Sequence, residues 1–407
     1  MDFQNLTQQH LKELIDEFES LNFNISSVNS AKLIIHEASH YLDNLVTLSG
    51  QEMLVKTYNA FNEYEQFNQA LNNNAAKPTV QNIIDFLNAY NNWTNRSFTT
   101  LLSNDSYKPG FKNWSFNYST DRSLDIYNQP NGPEIMLFTF KHQDRPFAKI
   151  PFSIEALWET NAMWAEITYH FEVARQLERD GMIVEGNDMQ KKYEEYLYNP
   201  NLFVYSIAAH LTSSLINIGD ILNAFKLSKA LSSISLNLPF RYYSQLRKTN
   251  GKVFKGLVNK LLNNTTNLNP CTIYLVLLEN VVESGINLND LISNDGIDLN
   301  QILFINNLPD KSLLKEEILS NMYRLNLQVD GPHTELYKFH KDTGINLFTV
   351  HGIEGGLNVH PGFLIDLANK SQACIFQGWD EEALLADESE ALKRRDYFQI
   401  LFKKIIT

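Results

Sequence analysis

Ile34-Ile35-His36-Glu37-Ala38-Ser39-His40-Tyr41-Leu42-Asp43 is the stretch on which the interpretation of this chain rests. It contains the motif His-Glu-x-x-His. In a helix, residues four positions apart lie above one another, so His36 and His40 can direct two imidazole nitrogens at one metal ion. Glu37 is turned roughly 100° away from His36. It therefore lies near the ion without binding it, which is the position that a general base requires.

The residues around the motif predict a buried helix from about residue 30 to residue 49. Ser30 is the expected N-cap, and Gly50 is placed to end the helix. The apolar surface of this helix is formed by Leu33, Ile34, Ala38, Tyr41, Leu42 and Leu45. Histidines inside a buried helix need a reason. Apart from a metal site, the alternative is a helix whose histidines form hydrogen bonds within the core.

A second informative segment runs from Ser153 to about Asp180 and predicts one long helix that stops at Gly181. Its apolar surface is interrupted by a polar stripe that spans about 60° of the helix. The stripe consists of Glu155, Glu159, Glu166 and His170. Carboxylates in an apolar environment are costly unless a positive charge lies opposite, and a divalent metal held by the two motif histidines would supply it. The alternative is a solvated helix face.

His36-Glu37-x-x-His40 followed by Glu159-x-x-Ala162 resembles the gluzincin branch of the zincin metallopeptidases, in which two helical histidines and a glutamate from a later helix bind zinc. The resemblance implies that His36, His40 and Glu159 bind Zn2+ and that Glu37 is the general base. It covers the two motif helices. Glu159 follows His40 by 119 residues, a longer separation than in many gluzincins. Glu155 and Glu166 therefore stay open as alternatives for the third ligand.

Two supporting roles are less defined by the sequence. Asp43 lies on the same helical face as His36, so it can accept the second ring proton of a ligand histidine, or it can be a surface acid. Zincin-like hydrolysis also benefits from a donor to the developing oxyanion. The candidates for this donor are Tyr169, His170, Tyr205 and His210. We favour His170 because it continues the carboxylate stripe, which makes Glu37 and His170 the predicted catalytic residues.

Composition restricts the partners and the compartment. The net charge is −13 and no basic run occurs, which argues against a nucleic-acid partner. No apolar run reaches the roughly 18 residues that a membrane span needs. The N-terminus has no signal-like segment, and Cys271 and Cys374 are far apart in the sequence. These features predict a cytoplasmic protein with reduced thiols. The resemblance to gluzincins implies that its partner is a protein or peptide substrate.

The predicted fold class is mainly α, with a zincin-like helical metallopeptidase core, a small β-hairpin region and a helical C-terminal extension. Residues 6–21 predict a first amphipathic helix. The hairpin strands are expected at Ile135–Phe140 and Phe147–Phe152, around a turn at Gln143–Pro146. A metallopeptidase domain is expected at residues 1–218 and a helical domain, as a substrate or partner platform, at residues 219–407.

Four histidines near the C-terminus raise the question of a second metal site. They are His333, His340, His351 and His360. Their spacings match no metal-ligand template, so we interpret them as histidines of loops and turns.

The sequence thus favours a zinc metallopeptidase, a hydrolase that cleaves peptide bonds in a protein substrate. Two other functions stay open. One is a catalytically inactive helical binding or scaffold protein in which His-Glu-x-x-His is structural. The other retains the metal but hydrolyses a non-peptide amide or ester.

Overall fold

The computed structural model describes residue 20 and residues 28–73, 79–102, 114–199, 202–218, 220–263, 269–293, 296–325 and 329–355. This part of the chain is mainly helical and falls, from Val28 onward, in one compact unit. None of its helices combines the length and the apolar character needed to cross a bilayer. The predicted helix at residues 6–21 lies outside the described residues except for Ser20, and so do His360 and Cys374.

The helices are numbered here in chain order. They are α1 Val28–Val46, α2 Leu48–Asn72, α3 Gln81–Thr94, α4 Ile154–Arg179, α5 Ile183–Leu197, α6 Phe203–Ile216, α7 Ile221–Asn237, α8 Leu257–Asn263, α9 Pro270–Ser284, α10 Leu288–Leu291, α11 Leu299–Ile305, α12 Lys311–Arg324 and α13 Thr334–Gly355. Short 3-10 helices cover Arg96–Phe98 and Phe240–Gln245. The mainly α class is thereby confirmed, and the helical character continues beyond residue 218 as predicted.

Four strands form an antiparallel sheet in the order β1-β4-β3-β2. They are β1 Thr100–Leu101, β2 Trp114–Arg122, β3 Glu134–His142 and β4 Arg145–Pro151, and a separate short pair consists of β5 Ile292–Ser293 and β6 Gly296–Ile297. The predicted hairpin is confirmed as β3 and β4. Gln143 and Asp144 both have positive φ values, 50° and 62°, as expected for a two-residue turn that matches the twist of the strands.

Strand β2 is an element of the sheet that the sequence analysis did not predict. It pairs with the full length of β3, from Trp114 opposite His142 to Arg122 opposite Glu134. The signal was present as aromatic residues at every second position, namely Trp114, Phe116 and Tyr118. The small hairpin region is therefore part of a four-stranded sheet.

The connection between α1 and α2 differs from the expectation that Gly50 ends the first helix. Helix α1 ends at Val46, and Gly50 lies in the first turn of α2. The Thr47 hydroxyl donates to the Asp43 carbonyl oxygen and accepts a hydrogen bond from the Gly50 amide at 3.0 Å. A side chain at Gly50 would clash with backbone carbonyl oxygens of α1. Glycine is thus required here by the close approach of the two helices and not as a terminator.

One hydrophobic core connects the elements on both sides of residue 218. It includes Phe138 of β3, Leu157 of α4, Leu231 of α7 and Leu275 of α9, each at most 1% exposed. Helix α1 packs on α4, and α4 in turn packs on α5, α6 and α7. The predicted boundary after residue 218 falls inside this core, so the described residues on its two sides share one interior.

Of the C-terminal histidines that the structure describes, two are helical and one lies in a turn. His340 and His351 lie in α13, and His333 directly precedes it. The His340 Nδ1 atom lies 2.7 Å from the Tyr58 hydroxyl, and His333 lies 3.8 Å from Glu65. The loop interpretation is therefore wrong for His340. Within the described part of the chain, the one group of ligand-type side chains close enough for a metal is elsewhere, on α1 and α4.

Candidate metal centre

Helix α4, the predicted partner of the motif helix, has the predicted extent. The Ser153 hydroxyl caps it by accepting a hydrogen bond from the Ala156 amide at 3.3 Å. The helix ends at Arg179, and Gly181 follows with a φ of 83°. The packing of α1 on α4 places the two predicted ligand segments face to face.

His36, His40 and Glu159 come together at the contact between α1 and α4. The Glu159 Oε2 atom lies 3.1 Å from His36 Nε2 and 3.3 Å from His40 Nε2. The two Nε2 atoms are 3.1 Å apart. The three side chains are only 10%, 21% and 12% exposed, in the order His36, His40, Glu159. The sequence-predicted ligand residues therefore form a compact, largely buried triangle.

The triangle has the dimensions that a zinc ion requires. Zinc binds imidazole nitrogen and carboxylate oxygen at about 2.0 to 2.2 Å in tetrahedral geometry, which separates the ligand atoms by roughly 3.3 Å. The three observed separations are 3.1, 3.1 and 3.3 Å. In addition, Glu159 Oε2 is buried, and the two histidine Nε2 atoms lie within 3.3 Å of it. Donor type, spacing and burial thus fit a tetrahedral metal with three protein ligands.

Each ligand residue stabilises the charged form of its neighbour, as the pKa values show. Burial by itself lowers the pKa of His36, but the adjacent carboxylates of Glu159 and Glu166 raise it to about 9. Burial raises the pKa of Glu159, but its contacts with His36 and His40 lower it to about 2. His36 and Glu159 therefore form an ion pair at neutral pH. A metal ion that binds here has to displace the proton, because a ligand nitrogen must be unprotonated.

Glu166, one alternative third ligand, lies on the other side of the His36 ring. Its Oε2 atom is 3.4 Å from His36 Nδ1, whereas the triangle is formed by Nε2. Its Oε1 atom is 3.4 Å from the ammonium group of Lys32. A carboxylate beside the second nitrogen of a metal-binding histidine fixes the orientation of the ring. The position of Glu166 suits this role and not that of a ligand.

Glu155, the other alternative, already has a partner. Its Oε1 atom accepts hydrogen bonds from Arg96, at 2.9 Å from Nε and at shorter range from Nη2. Arg96 belongs to the short 3-10 helix after α3, and its side chain is exposed. Glu155 is thus directed to Arg96 and is not part of the triangle.

Asp43 links the two ligand helices. It is 1% exposed, and its carboxylate accepts a hydrogen bond from the Asn161 amide at 3.0 Å. Burial raises the pKa of Asp43 to about 7, an increase that Asn161, His40 and Lys229 limit. The possibility that Asp43 is a surface acid is therefore wrong. Its hydrogen-bond partner is an amide of α4 and not the ring of a motif histidine.

Tyr205 is the oxyanion candidate that the structure places at the triangle. Its ring lies 5.7 Å from that of His36, between centroids. Burial raises its pKa, and the charges of Glu159, Glu37 and Glu155 raise it further. The charge of Glu37 therefore acts on Tyr205. The Glu37 side chain is half-buried and makes no hydrogen bond or ion pair to another described residue, so it is available as a base.

The structure does not bring His170 to this group. His170 follows Glu159 by eleven residues on α4. This separation corresponds to roughly 16 Å along the helix axis. His170 is buried, and its Nε2 atom donates to the Met189 carbonyl oxygen at 2.7 Å. His170 shares the polar face of α4 with Glu159, but this face extends over several helical turns, so His170 lies away from the ligand residues.

The remaining two candidates also lie away from the ligands. Tyr169 is fully buried in the core. His210 packs among the rings of Trp114, Phe140 and Tyr198, and burial lowers its pKa to about 4. Tyr205 is thus the candidate for which the structure shows a ring contact with a ligand histidine.

Three residues near the centre were not singled out from the sequence. Lys32 precedes His36 by four positions, so it lies on the same face of α1, and that spacing was a usable signal. Asn161 and Arg96 gave no comparable signal. Their roles depend on which side chain lies opposite, and this is decided by tertiary packing.

Comparisons with protein-family models, with curated proteins and with solved structures found no match to this chain. The resemblance to gluzincins therefore rests on the motif residues. Cytoplasmic location and the expected lack of a nucleic-acid partner stay predictions.

Proposed function

We propose that this chain is a zinc-dependent peptidase of the gluzincin type that hydrolyses peptide bonds in a protein or peptide substrate. The observation that carries the proposal is the triangle of His36 Nε2, His40 Nε2 and Glu159 Oε2, whose edges are 3.1 to 3.3 Å. Two helical histidines and one carboxylate are the ligand set of hydrolytic zinc sites, which keep a fourth position for water or substrate.

Zinc, when bound, would lower the pKa of a coordinated water toward neutrality and polarise the substrate carbonyl. The protein residues supply the proton transfers. Glu37 accepts a proton from the attacking water as the water oxygen bonds to the carbonyl carbon. Glu37 then donates this proton to the amine nitrogen as the carbon–nitrogen bond breaks. The Tyr205 hydroxyl donates a hydrogen bond to the carbonyl oxygen while negative charge develops on it.

The edge of the four-stranded sheet is compatible with a peptide as the substrate. Strand β1 (Thr100–Leu101) is the end strand of the four-stranded sheet, and among the described residues it pairs only with β4. It begins four residues after Arg96, the partner of Glu155. Leu101 is 45% exposed. An extended peptide can pair with such an edge through its main chain.

The deciding experiment compares the wild-type chain with Glu37→Gln and His40→Gln. Zinc per chain is measured after dialysis, and cleavage is measured on a mixed peptide library. Wild type should bind one zinc and cleave. Glu37→Gln should keep the zinc and the melting temperature but lose at least about 10²-fold in turnover, because it removes only the base. His40→Gln should lose the zinc.

The alternative function is a catalytically inactive binding protein. The observation in its favour is the His36–Glu159 ion pair, which joins α1 to α4 without the need for a metal ion. A ligand that binds only the folded state raises the melting temperature. A wild-type chain that carries no zinc, and whose melting temperature does not change when zinc is added, would establish this alternative.

A further inference from the structure

A cavity of about 630 Å³ lies apart from the metal centre. Its walls are the first turns of α2, one face of α3 and the segment that follows α7. Helix α4 contributes only Ile154, which is turned about 140° around the helix from Glu159. The volume is within the range of small-molecule sites, about 300 to 1,000 Å³. The cavity is therefore large enough for a ligand and is not the cleft of the metal centre.

Aromatic rings form much of the wall. Trp93, Phe240 and Tyr243 line the cavity, and the rings of Phe240 and Tyr243 are 5.3 Å apart. Phe240 is 65% exposed, an unusual environment for a phenylalanine. Ring surfaces of this kind bind apolar groups, and their faces attract cations.

Glu52 contributes a carboxylate to the same cavity. Glu52 lines the cavity and makes no hydrogen bond or ion pair with another described residue. The surrounding atoms raise its pKa, and its charge in turn raises the pKa of Tyr243. Lys56, one turn further along α2, also lines the cavity; it forms no ion pair with Glu52, but its charge lowers the pKa of Glu52 and so limits the increase. Glu52 is exposed within the cavity, so a ligand can reach its carboxylate, and a cation placed beside it is favourable.

The charges of the whole lining also favour a cation. Glu52 and Asp85 contribute two carboxylates, and Lys56 contributes one ammonium group. Asp85 already accepts a hydrogen bond from the Gln81 amide at 2.8 Å, which leaves Glu52 as the main counter-charge for a ligand. An anionic ligand would instead meet two like charges and the negative faces of the rings.

We propose that this cavity binds a small organic amine, with its protonated amino group on Glu52 and its apolar body against Trp93, Phe240 and Tyr243. This site is independent of the peptidase activity proposed above, because it shares no residue with the triangle or with its catalytic partners.

The test is isothermal titration of the full chain with three probes of similar shape. They are phenethylamine, which is cationic, 2-phenylethanol, which is neutral, and 3-phenylpropionate, which is anionic. Phenethylamine should bind at least tenfold more tightly than either of the other two. Glu52→Gln should remove this preference, and Lys56→Gln, its matched control on the same helix, should keep it. Phe240→Ala at the exposed rim should weaken binding of all three probes.

Several outcomes would overturn the proposal. Equal affinity for all three probes would show an apolar cavity without charge selection. Tighter binding of 3-phenylpropionate would assign recognition to Lys56. Lack of binding of phenethylamine at millimolar concentration would mean that the cavity takes no small amine. Zinc content and the circular dichroism spectrum, measured on each variant, confirm that the fold and the metal centre are unchanged.

Discussion

Asp43 of α1 accepts a hydrogen bond from Asn161 of α4 at 3.0 Å, and both side chains are buried. The bond lies three residues after His40 and two after Glu159, so it joins the two ligand helices next to the candidate metal centre. The charge of Lys229 on α7 also acts on Asp43. The relative position of the ligand residues is therefore fixed by a polar contact as well as by apolar packing.

Replacing Asp43 with alanine should destabilise the protein, because the Asn161 amide would stay buried without its acceptor. A buried polar group left unpaired costs about 1 to 3 kcal/mol in the free energy of unfolding. The measurement is urea denaturation of Asp43→Ala, Asn161→Ala and the double variant. We expect a coupling of at least about 0.5 kcal/mol, as is usual for residues in contact. Additive single effects would contradict a stabilising contact.

The identity of the third ligand can be tested with two variants on one helix. Glu159→Gln removes the carboxylate of the triangle, and Glu155→Gln removes the partner of Arg96. Zinc is bound by thiolate, imidazole and carboxylate groups, and a neutral amide oxygen is a weaker ligand than a carboxylate. The first variant should therefore lose tightly bound zinc. The second should retain one zinc per chain after dialysis. The opposite result would transfer the ligand role to Glu155.

Glu166→Gln should weaken zinc binding without abolishing it. The substitution removes the negative charge at 3.4 Å from His36 Nδ1, and loss of such an outer partner typically reduces metal affinity about 10- to 100-fold. Affinity is measured by competition with a chelator. Glu172→Gln is the matched control, because Glu172 lies on the same helix and pairs with Arg175 at the surface. Equal affinities for the two variants would mean that Glu166 does not support the ligand.

Tyr205→Phe should lower kcat while zinc content stays at the wild-type level. Removing one donor to a developing oxyanion typically costs about 10²- to 10³-fold in kcat. His170→Gln is the informative comparison, because the sequence alone favoured His170 for this role. We expect this variant to keep most of its turnover. Loss of turnover in His170→Gln with normal turnover in Tyr205→Phe would reverse the assignment.

His210 makes the fold sensitive to acid. Burial lowers its pKa from 6.5 to about 4. Between these values the unfolded chain binds a proton that the folded chain does not, so stability is complete above pH 6.5 and falls as the pH decreases toward 4. The loss is on the order of 3 kcal/mol at most. His210→Phe should reduce the fall in melting temperature between pH 7 and pH 4.5. An unchanged pH profile would exclude His210 as its cause.

Site residues could be predicted from the sequence where their relative positions depend on a single helix. The two histidines were predictable because four residues of one helix fix their separation. Glu159 was favoured by its likeness to a known ligand motif. The alternatives Glu155 and Glu166 could be excluded only from the structure, in which Glu155 contacts Arg96 and Glu166 lies beside Nδ1 of the His36 ring. The Asn161 partner of Asp43 depends on helix packing, which no periodicity encodes.

Elements of the fold were likewise predicted where local signals mark them, and missed where they depend on tertiary contacts. The long helix from Ile154 to Arg179 was predicted closely, since a serine cap and a glycine mark its ends. Gly50 was misinterpreted, because glycine ends helices and also permits close contacts, and only the second use applies here. Strand β2 was missed because its pairing with β3 is not apparent from its own short alternation.

His40 and Glu159 meet in space although 119 residues separate them in the chain. The described residues between them fold as α2, α3 and the four-stranded sheet, and α4 then packs on α1. The entropy of closing such a loop grows slowly, by about 0.6 kcal/mol for each doubling of its length. An insertion at the exposed turn of Gln143 and Asp144 should therefore leave the ligand triangle intact as long as α1 stays packed on α4. Linear spacing is then a poor criterion for recognising centres of this kind, and a search on the geometry of the two helices is the better one.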